Sequence, residues 1–282
     1  PKRIVVTILE NETGDPALDP VGKMAADWIT QGLLRIRGLD VVPSTSALLP
    51  SVSREPERAG SADPWRRLVK ETGAGVVVSG AYYRQADSLQ FQVKVTEAAG
   101  RRLIVALEPV AGPAAAPMQA IDLLRQRIMG AMATREEAVH FVDDPLRPPL
   151  YDAYREFIAG FELFLSDEEQ ALRHFQRAAE LDSTFATPLM YQTYLHHLRG
   201  DHARVEECLR QLAGKRQKLS PFAGHWLDAV TAFYAHRYAE SLQALRGAEA
   251  LAPRDPLVVH WIGYVATLCN RPRETLAAYG QF

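Results

Sequence analysis

The stretch from Asp167 to Ala186 constrains this chain more than any other. Ala171, Phe175 and Ala178 recur there at helical spacing, and Leu172 and Ala179 widen the same apolar stripe. Small residues at Ala171 and Ala178 let a neighbouring helix come close, while Phe175 fills the space between the backbones. One helix cannot bury such a stripe alone, so a partner has to recur nearby. Aligning the apolar and small positions gives units that start near Asp152, Ala186, Phe222 and Pro256, spaced 34, 36 and 34 residues apart. Units of this kind bury their faces only by stacking on one another.

The period and its internal pattern resemble the tetratricopeptide repeat, a helix–turn–helix unit of about 34 residues. Ile262-Gly263 with Ala266 matches its first helix, while Tyr238–Leu245 and Ala248, ending at Pro253, match the second helix and its stop. The second unit is degenerate at Val205, Leu209 and Leu212, and the fourth lacks its end. The resemblance implies that first helices line a concave groove. Those positions are Glu156, Gly160 and Phe164, then Met190, Tyr194 and His197, then Trp226, Val230, Phe233 and Tyr234, and finally His260 and Tyr264. Aromatics dominate them, and the Lys and Asn pattern that clamps a C-terminal carboxylate in some family members is missing. Such a groove suits an apolar or aromatic segment of a protein or peptide, with Tyr and His adding hydrogen bonds. The competing account is that Trp226, Phe233 or Tyr194 pack between helices, or that a second copy of the chain or its own first half fills the groove.

The first half has a different grammar. Arg3–Leu9 reads as a buried strand, Asn11–Pro16 as a turn, and Asp19-Pro20 as the cap and first residue of a helix through Ile36. Leu39–Val42 reads as a second strand, Thr45–Leu49 as a short helical turn and Pro50–Gly60 as a polar loop. Asp63-Pro64 opens another helix through Thr72. Gly75–Arg84, Leu89–Ala98 and Arg102–Val110 form an antiparallel meander, and a proline-rich loop over Pro109–Pro117 leads into a helix from Met118 to Met132. The order predicts a mixed sheet with its helices largely on one face. The fold class is therefore α+β, an α/β layer domain over 1–142, with a proline-rich linker at 143–150 and an all-α repeat array over 151–282.

Val6-Thr-Ile-Leu-Glu-Asn-Glu-Thr-Gly-Asp-Pro16, the Trp28-Ile-Thr-Gln-Gly-Leu33 helix and the Gly38-Leu-Asp-Val-Val42 strand resemble the TolB amino-terminal-like domain. Thr72–Ala81 and the Val95–Arg101 turn fit as well, so the resemblance spans about residues 3–135. It departs at Thr7-Ile8, where the family usually carries Pro-Phe. In bacteria such domains commonly sit between a signalling domain and a helical repeat array, often beside a transmembrane helix. The signalling domain is a serine/threonine kinase, adenylate cyclase or DNA-binding output. The resemblance therefore implies a non-catalytic sensory or scaffolding region of a signalling protein. The alternative is a small-molecule-binding regulatory domain of a cyclase or transcriptional regulator.

Composition narrows the partners. A net charge of -2 over 282 residues makes no electrostatic case for nucleic acid or an anionic membrane. No apolar run approaches the roughly 20 residues of a membrane-spanning helix. The chain opens at Pro1 and stops at Phe282 inside a helical pattern, as expected of a piece of a longer protein. Cys208 and Cys269 both fall in predicted helices and read as small buried hydrophobes, and their placement fits either side of a membrane.

Motifs for chemistry fail on order and spacing, so no enzyme, cofactor or metal site is expected. Gly73-Ala-Gly75 precedes a strand instead of following one, and Gly22-Lys23 lacks the earlier glycine and following Ser/Thr of a phosphate loop. His196, His197 and His202 are the densest histidine group, yet none are paired at i and i+4, and His196 and His197 point to different sides of a helix. No GxSxG elbow occurs. Glu136-Glu137 and Glu206-Glu207 read as solvated helix faces, where burial cannot tune a carboxylate.

Overall fold

The computed structural model describes residues 3–42, 64–136, 147–253 and 255–280. Described residues up to Tyr151 belong to one compact unit and those from Asp152 to another. The expected turn at Thr45–Leu49, the loop at Pro50–Gly60, the Asp63 cap and Glu137 lie outside the described residues. Among those described, no helix is long and apolar enough to cross a membrane.

Among the described residues, the first unit is built on a mixed sheet of seven strands. In chain order these are β1 (Arg3–Val6), β2 (Glu10–Asn11), β3 (Asp40–Val41), β4 (Val76–Gln85), β5 (Ser88–Glu97), β6 (Arg102–Ala106) and β7 (Val110–Pro113). The main path is β3-β1-β4-β5-β6, with β2 added to β4 and β7 to β5. β1 runs parallel to β3 and β4, whereas β4, β5 and β6 are antiparallel. The two-residue period sorts the side chains. Ile4, Val6, Val76, Val78 and Tyr82 enter one core with β5's Leu89, Phe91, Val93 and Val95, while Val5 and Val77 enter a smaller core on the other face.

Two helices, α1 (Asp19–Leu33) and α3 (Pro117–Glu136), cover the larger core with Ala25, Ile29, Leu33, Ile121, Leu124 and Ile128. The intervening α2 (Pro64–Thr72) places Leu68 on the smaller core, and its Trp65 indole N–H donates to the Ala98 carbonyl at 3.3 Å.

Three local expectations need correction. The strand expected through Leu9 breaks after Val6, where the Thr7 backbone and hydroxyl both donate to the Val78 carbonyl (2.9 and 3.3 Å) and Leu9 N–H turns to the Gly22 carbonyl of α1 (3.4 Å). Asp19 is not the cap of α1. The Asp15 carboxylate takes the Ala17 N–H at 3.0 Å, and the 3-10 turn Pro16–Leu18 runs directly into the helix. The third meander strand is two pieces, because Pro109 has no N–H to give the ladder. Val110–Pro113, expected as loop, pairs with β5 instead.

The second unit consists of eight helices among the described residues. They are α4 (Tyr151–Leu163), α5 (Glu168–Leu181), α6 (Thr187–Leu198), α7 (His202–Gly214), α8 (Pro221–Tyr234), α9 (Tyr238–Leu251), α10 (Pro256–Leu268) and α11 (Pro272–Tyr279). Side chains of Asp167, Asp201, Ser220 and Asp255 accept from the N–H three residues on (3.0, 3.2, 3.1 and 3.0 Å), so four of the helices start on a side-chain cap. Ala171, Phe175 and Ala178 of α5 are fully buried. Cys269 ends α10 at its C-cap, half-buried, whereas Cys208 is inside α7 and buried.

The turns inside the last three pairs share one geometry. Gly200, His236 and Asn270 all have positive φ (68, 59 and 54°). In each case the next N–H reaches back to the carbonyl five residues earlier, on His196, Ala232 and Ala266, at 2.9 Å. This is the left-handed helix stop that glycine favours. His236→Gly should therefore stabilise the unit by up to about 1 kcal/mol, read as a higher urea midpoint with unchanged slope. Gly200→Ala should do the reverse.

Candidate functional site

Four equivalent positions explain which side chains face outward. Phe157, Tyr191, Trp226 and Trp261 follow one another at 34 or 35 residues and are all buried, at 0, 3, 0 and 1% exposure. Leu195, Val230 and Val265 form a second buried row. Trp226 and Val230, expected on the groove, therefore belong to the interior, as does Met190. First helices of stacked pairs are covered by neighbours on several sides, so their apolar positions do not mark one exposed face. Around Phe157 the rings of Phe161, Phe175, Phe185 and Tyr191 stand 5.5–6.3 Å away. Gly160 is also interior, packed against Phe175, and Glu156 is held by His174 at 2.8 Å.

Of the seven other expected residues, Phe164 stacks on Tyr194 at 5.8 Å, and the remaining six come together. Tyr194 and His197 of α6, Phe233 and Tyr234 of α8, and His260 and Tyr264 of α10 form one half-buried aromatic patch. The His197 ring stands 5.6 Å from Phe233, 5.7 Å from Tyr264 and 4.9 Å from Trp261. The Tyr234 hydroxyl and His197 Nδ1 share a hydrogen bond of 2.7 Å, and the Tyr194 hydroxyl and His260 Nε2 one of 3.1 Å. Burial keeps all four groups neutral. It pushes the Tyr234 phenol up to about 12 and raises Tyr194, and it lowers both imidazoles, with His202 and His260 adding to the effect on His197. Each bond thus joins a neutral phenol to a neutral imidazole. At the edge of the patch, Tyr264 and Tyr279 are 36 and 41% exposed.

Trp261 and Tyr279 were absent from the expected set. Trp261 lies one repeat after Trp226, and that spacing could have placed it. Tyr279 packs on His260 at 6.2 Å from the short last helix, and nothing in its local sequence marks it.

Comparison with known proteins adds little beyond the geometry. No family model matches the chain, and no curated protein matches it. Among solved structures, TolB from Acinetobacter baumannii aligns at 16% identity with a TM-score of 0.31, covering 49% of this chain and 29% of that one. A TM-score this low does not establish a shared fold.

His196 points away from the patch, as its one-residue offset from His197 requires, into a cavity between α5 and α7. In the first unit, a second cavity of about 590 Å³ lies on the sheet face that carries α2, floored by Ser79, Ala81, Gln92 and Lys94.

The imidazoles make the helical unit sensitive to acid. Burial holds His196, His197 and His260 below their unfolded value of 6.5. The unfolded chain therefore binds more protons than the native one as pH falls below that value. Their contribution is complete above about pH 6.5 and is lost on acidification. Asp255 opposes them, because desolvation raises it from 3.8 to about 6 and the native state then takes up its proton first. In Asp255→Asn, which keeps a capping side chain, the urea midpoint should fall between pH 7.5 and 5.5. Adding His197→Gln and His260→Gln should flatten that fall.

Proposed function

We propose that this chain is a non-catalytic binding and scaffolding region of a bacterial signalling protein. The helix pairs act as a tetratricopeptide-type array that receives a protein or peptide segment. The observation that carries this proposal is the ring patch shared by α6, α8 and α10, with Tyr264 and Tyr279 open at its edge. Exposed tyrosines over a rigid aromatic floor lose little conformational entropy on contact and suit an apolar or aromatic partner segment. The hydrogen bonds between Tyr194 and His260 and between His197 and Tyr234 set that floor before any partner arrives. In the parent protein the sheet-bearing unit would link this array to the output domain, a serine/threonine kinase in the leading version and a cyclase or DNA-binding domain in the other.

Photoreactive benzoylphenylalanine at Tyr264 or Tyr279 of the parent protein tests this. Crosslinks to one defined partner segment, weakened roughly tenfold by Ala at the other tyrosine, are expected. The proposal fails if a probe at Arg177, on the exposed side of α5, captures the same partners equally well.

A further inference from the structure

Helix α7 is held less firmly than its counterparts, and the reason is in the sequence. Leu172 of α5 and Leu242 of α9 occupy one repeat position, and the same position in α7 is Glu206. Leu242 is sealed, at 2% exposure, whereas Glu206 lies in solvent. α9 is wedged between α8 and α10 and buries Ser241, Leu242, Leu245 and Ala248. α7 runs along α6 but touches α8 only sparsely, and its buried side chains are Val205, Cys208 and Leu212. On its other side an open cleft of about 590 Å³ separates it from α5.

Polar contacts repeat the contrast. His174 ties α5 to Glu156 of α4 at 2.8 Å, Arg199 ties the end of α6 to Glu168 of α5 at 3.0 Å, and Arg246 ties α9 to Glu274 of α11 at 2.9 Å. In α7, Glu207 is engaged by Arg210 and Gln211, and its cap Asp201 by the Arg204 N–H, all within the same segment. Among the described residues, its hydrogen bonds and ring contacts to other helices are the Cys208 thiol with Thr193 and the His202 ring 5.8 Å from Tyr234. Beneath α5 and α7, Gln192 Nε2 and His196 Nδ1 of α6 are sealed from solvent with no hydrogen-bond partner among the described residues. Sealing such groups is costly, and hydrating them removes that cost. Burial likewise pulls the Lys215 ammonium, at the end of α7, below its ordinary value.

We propose that α7 is a detachable helix: it leaves α6 as one piece while the rest of the array stays folded, and so uncovers the α6 face of Leu189, Gln192, Thr193 and His196. The bonds from Tyr194 to His260 and from His197 to Tyr234 do not involve α7, so they hold α6 in place once it has left. Opening gives up three buried apolar side chains and hydrates an amide and an imidazole, which places it at the low end of the local opening free energies of a folded chain. The inference is independent of what binds at the aromatic patch.

Native-state amide exchange and thiol labelling of the full chain test this, with Cys269→Ser so that Cys208 is the one thiol present. Amides from Val205 to Leu212 should be protected roughly a hundredfold less than those from Leu242 to Ala248, with little dependence on urea. Cys208 should be labelled through the same opening. Gln192→Leu should make that opening roughly tenfold rarer, because it removes an amide that gains on hydration. Leu212→Ala should make it roughly tenfold more frequent while α9 protection stays the same. Exchange of α7 only through the global step, with the protection and urea slope of α9, overturns the proposal. So does a parallel loss of α9 protection in Leu212→Ala, or a Gln192→Leu protein that opens as readily as the parent.

Discussion

Phe175→Ala is expected to cost the helical unit about 3–5 kcal/mol. The ring is completely buried and stands 5.6 Å from Phe157, 6.4 Å from Phe164 and 5.5 Å from Tyr191, so its loss opens a void among side chains that cannot collapse into it. Gly160 sharpens the expectation. A Cβ there would lie 2.8 Å from the Phe175 ring, so the two positions share one space. Gly160→Ala alone should destabilise by overpacking, about 1–3 kcal/mol. In the Phe175→Leu background the added methyl should cost much less, or help. Urea denaturation of the four proteins in that cycle, followed by hydrogen exchange of α4 and α5 amides, measures the coupling. Additive effects would mean that the two helices do not approach as closely as described.

Gly22→Ala should be nearly as damaging to the sheet-bearing unit, at about 3 kcal/mol. A Cβ at Gly22 would sit 2.1 Å from the Leu9 carbonyl oxygen and 3.2 Å from the Tyr82 ring. Backbone cannot retreat as a side chain can, so α1 would have to lift off the sheet. Tyr82 would be disturbed first, since its hydroxyl donates to the Leu18 carbonyl at 2.7 Å just ahead of that crossing. Near-ultraviolet circular dichroism and exchange of the β1 and β4 amides should report the change. A variant as stable as the parent would rule out so close a crossing. Gly22-Lys23 thus has a purpose unrelated to phosphate: the glycine lets a helix backbone rest on a strand end.

What the sequence revealed depended on whether the determinant was local. The α5 stripe and the spacing of the helix pairs could be read, because the helical period acts within a few residues, whereas the cap expected at Asp19 fell to Asp15 and the 3-10 turn ahead of α1. A mixed sheet followed from the β-branched runs and the meander turns, though five strand segments were expected and seven strands are found among the described residues. The split of its last strand did not, because it depends on which β5 carbonyls remain to be paired around Pro109. On the aromatic face, Tyr194, His197, Phe233, Tyr234, His260 and Tyr264 converge, but Met190, Trp226 and Val230 do not. Helices α8 and α10 are apolar nearly all round, so a helical wheel has no polar side against which to set its phase. The cavity at His196 was invisible for a different reason. Its walls come from α5, α6 and α7, and a space between three helices exists only once all three are in place.

The bond from Tyr194 to His260 joins α6 to α10 and passes over α8, and His197 meets Trp261 across the same gap. Arrays of stacked helix pairs ordinarily melt as a chain of nearest-neighbour contacts, fraying from an end while the middle survives. Ties between non-adjacent members remove that freedom. The last pair cannot peel away without uncovering the second. Apart from α7, the segment from α6 to α11 should therefore lose structure in a single cooperative step, so a partner that grips only Tyr264 and Tyr279 would be felt as far back as α6.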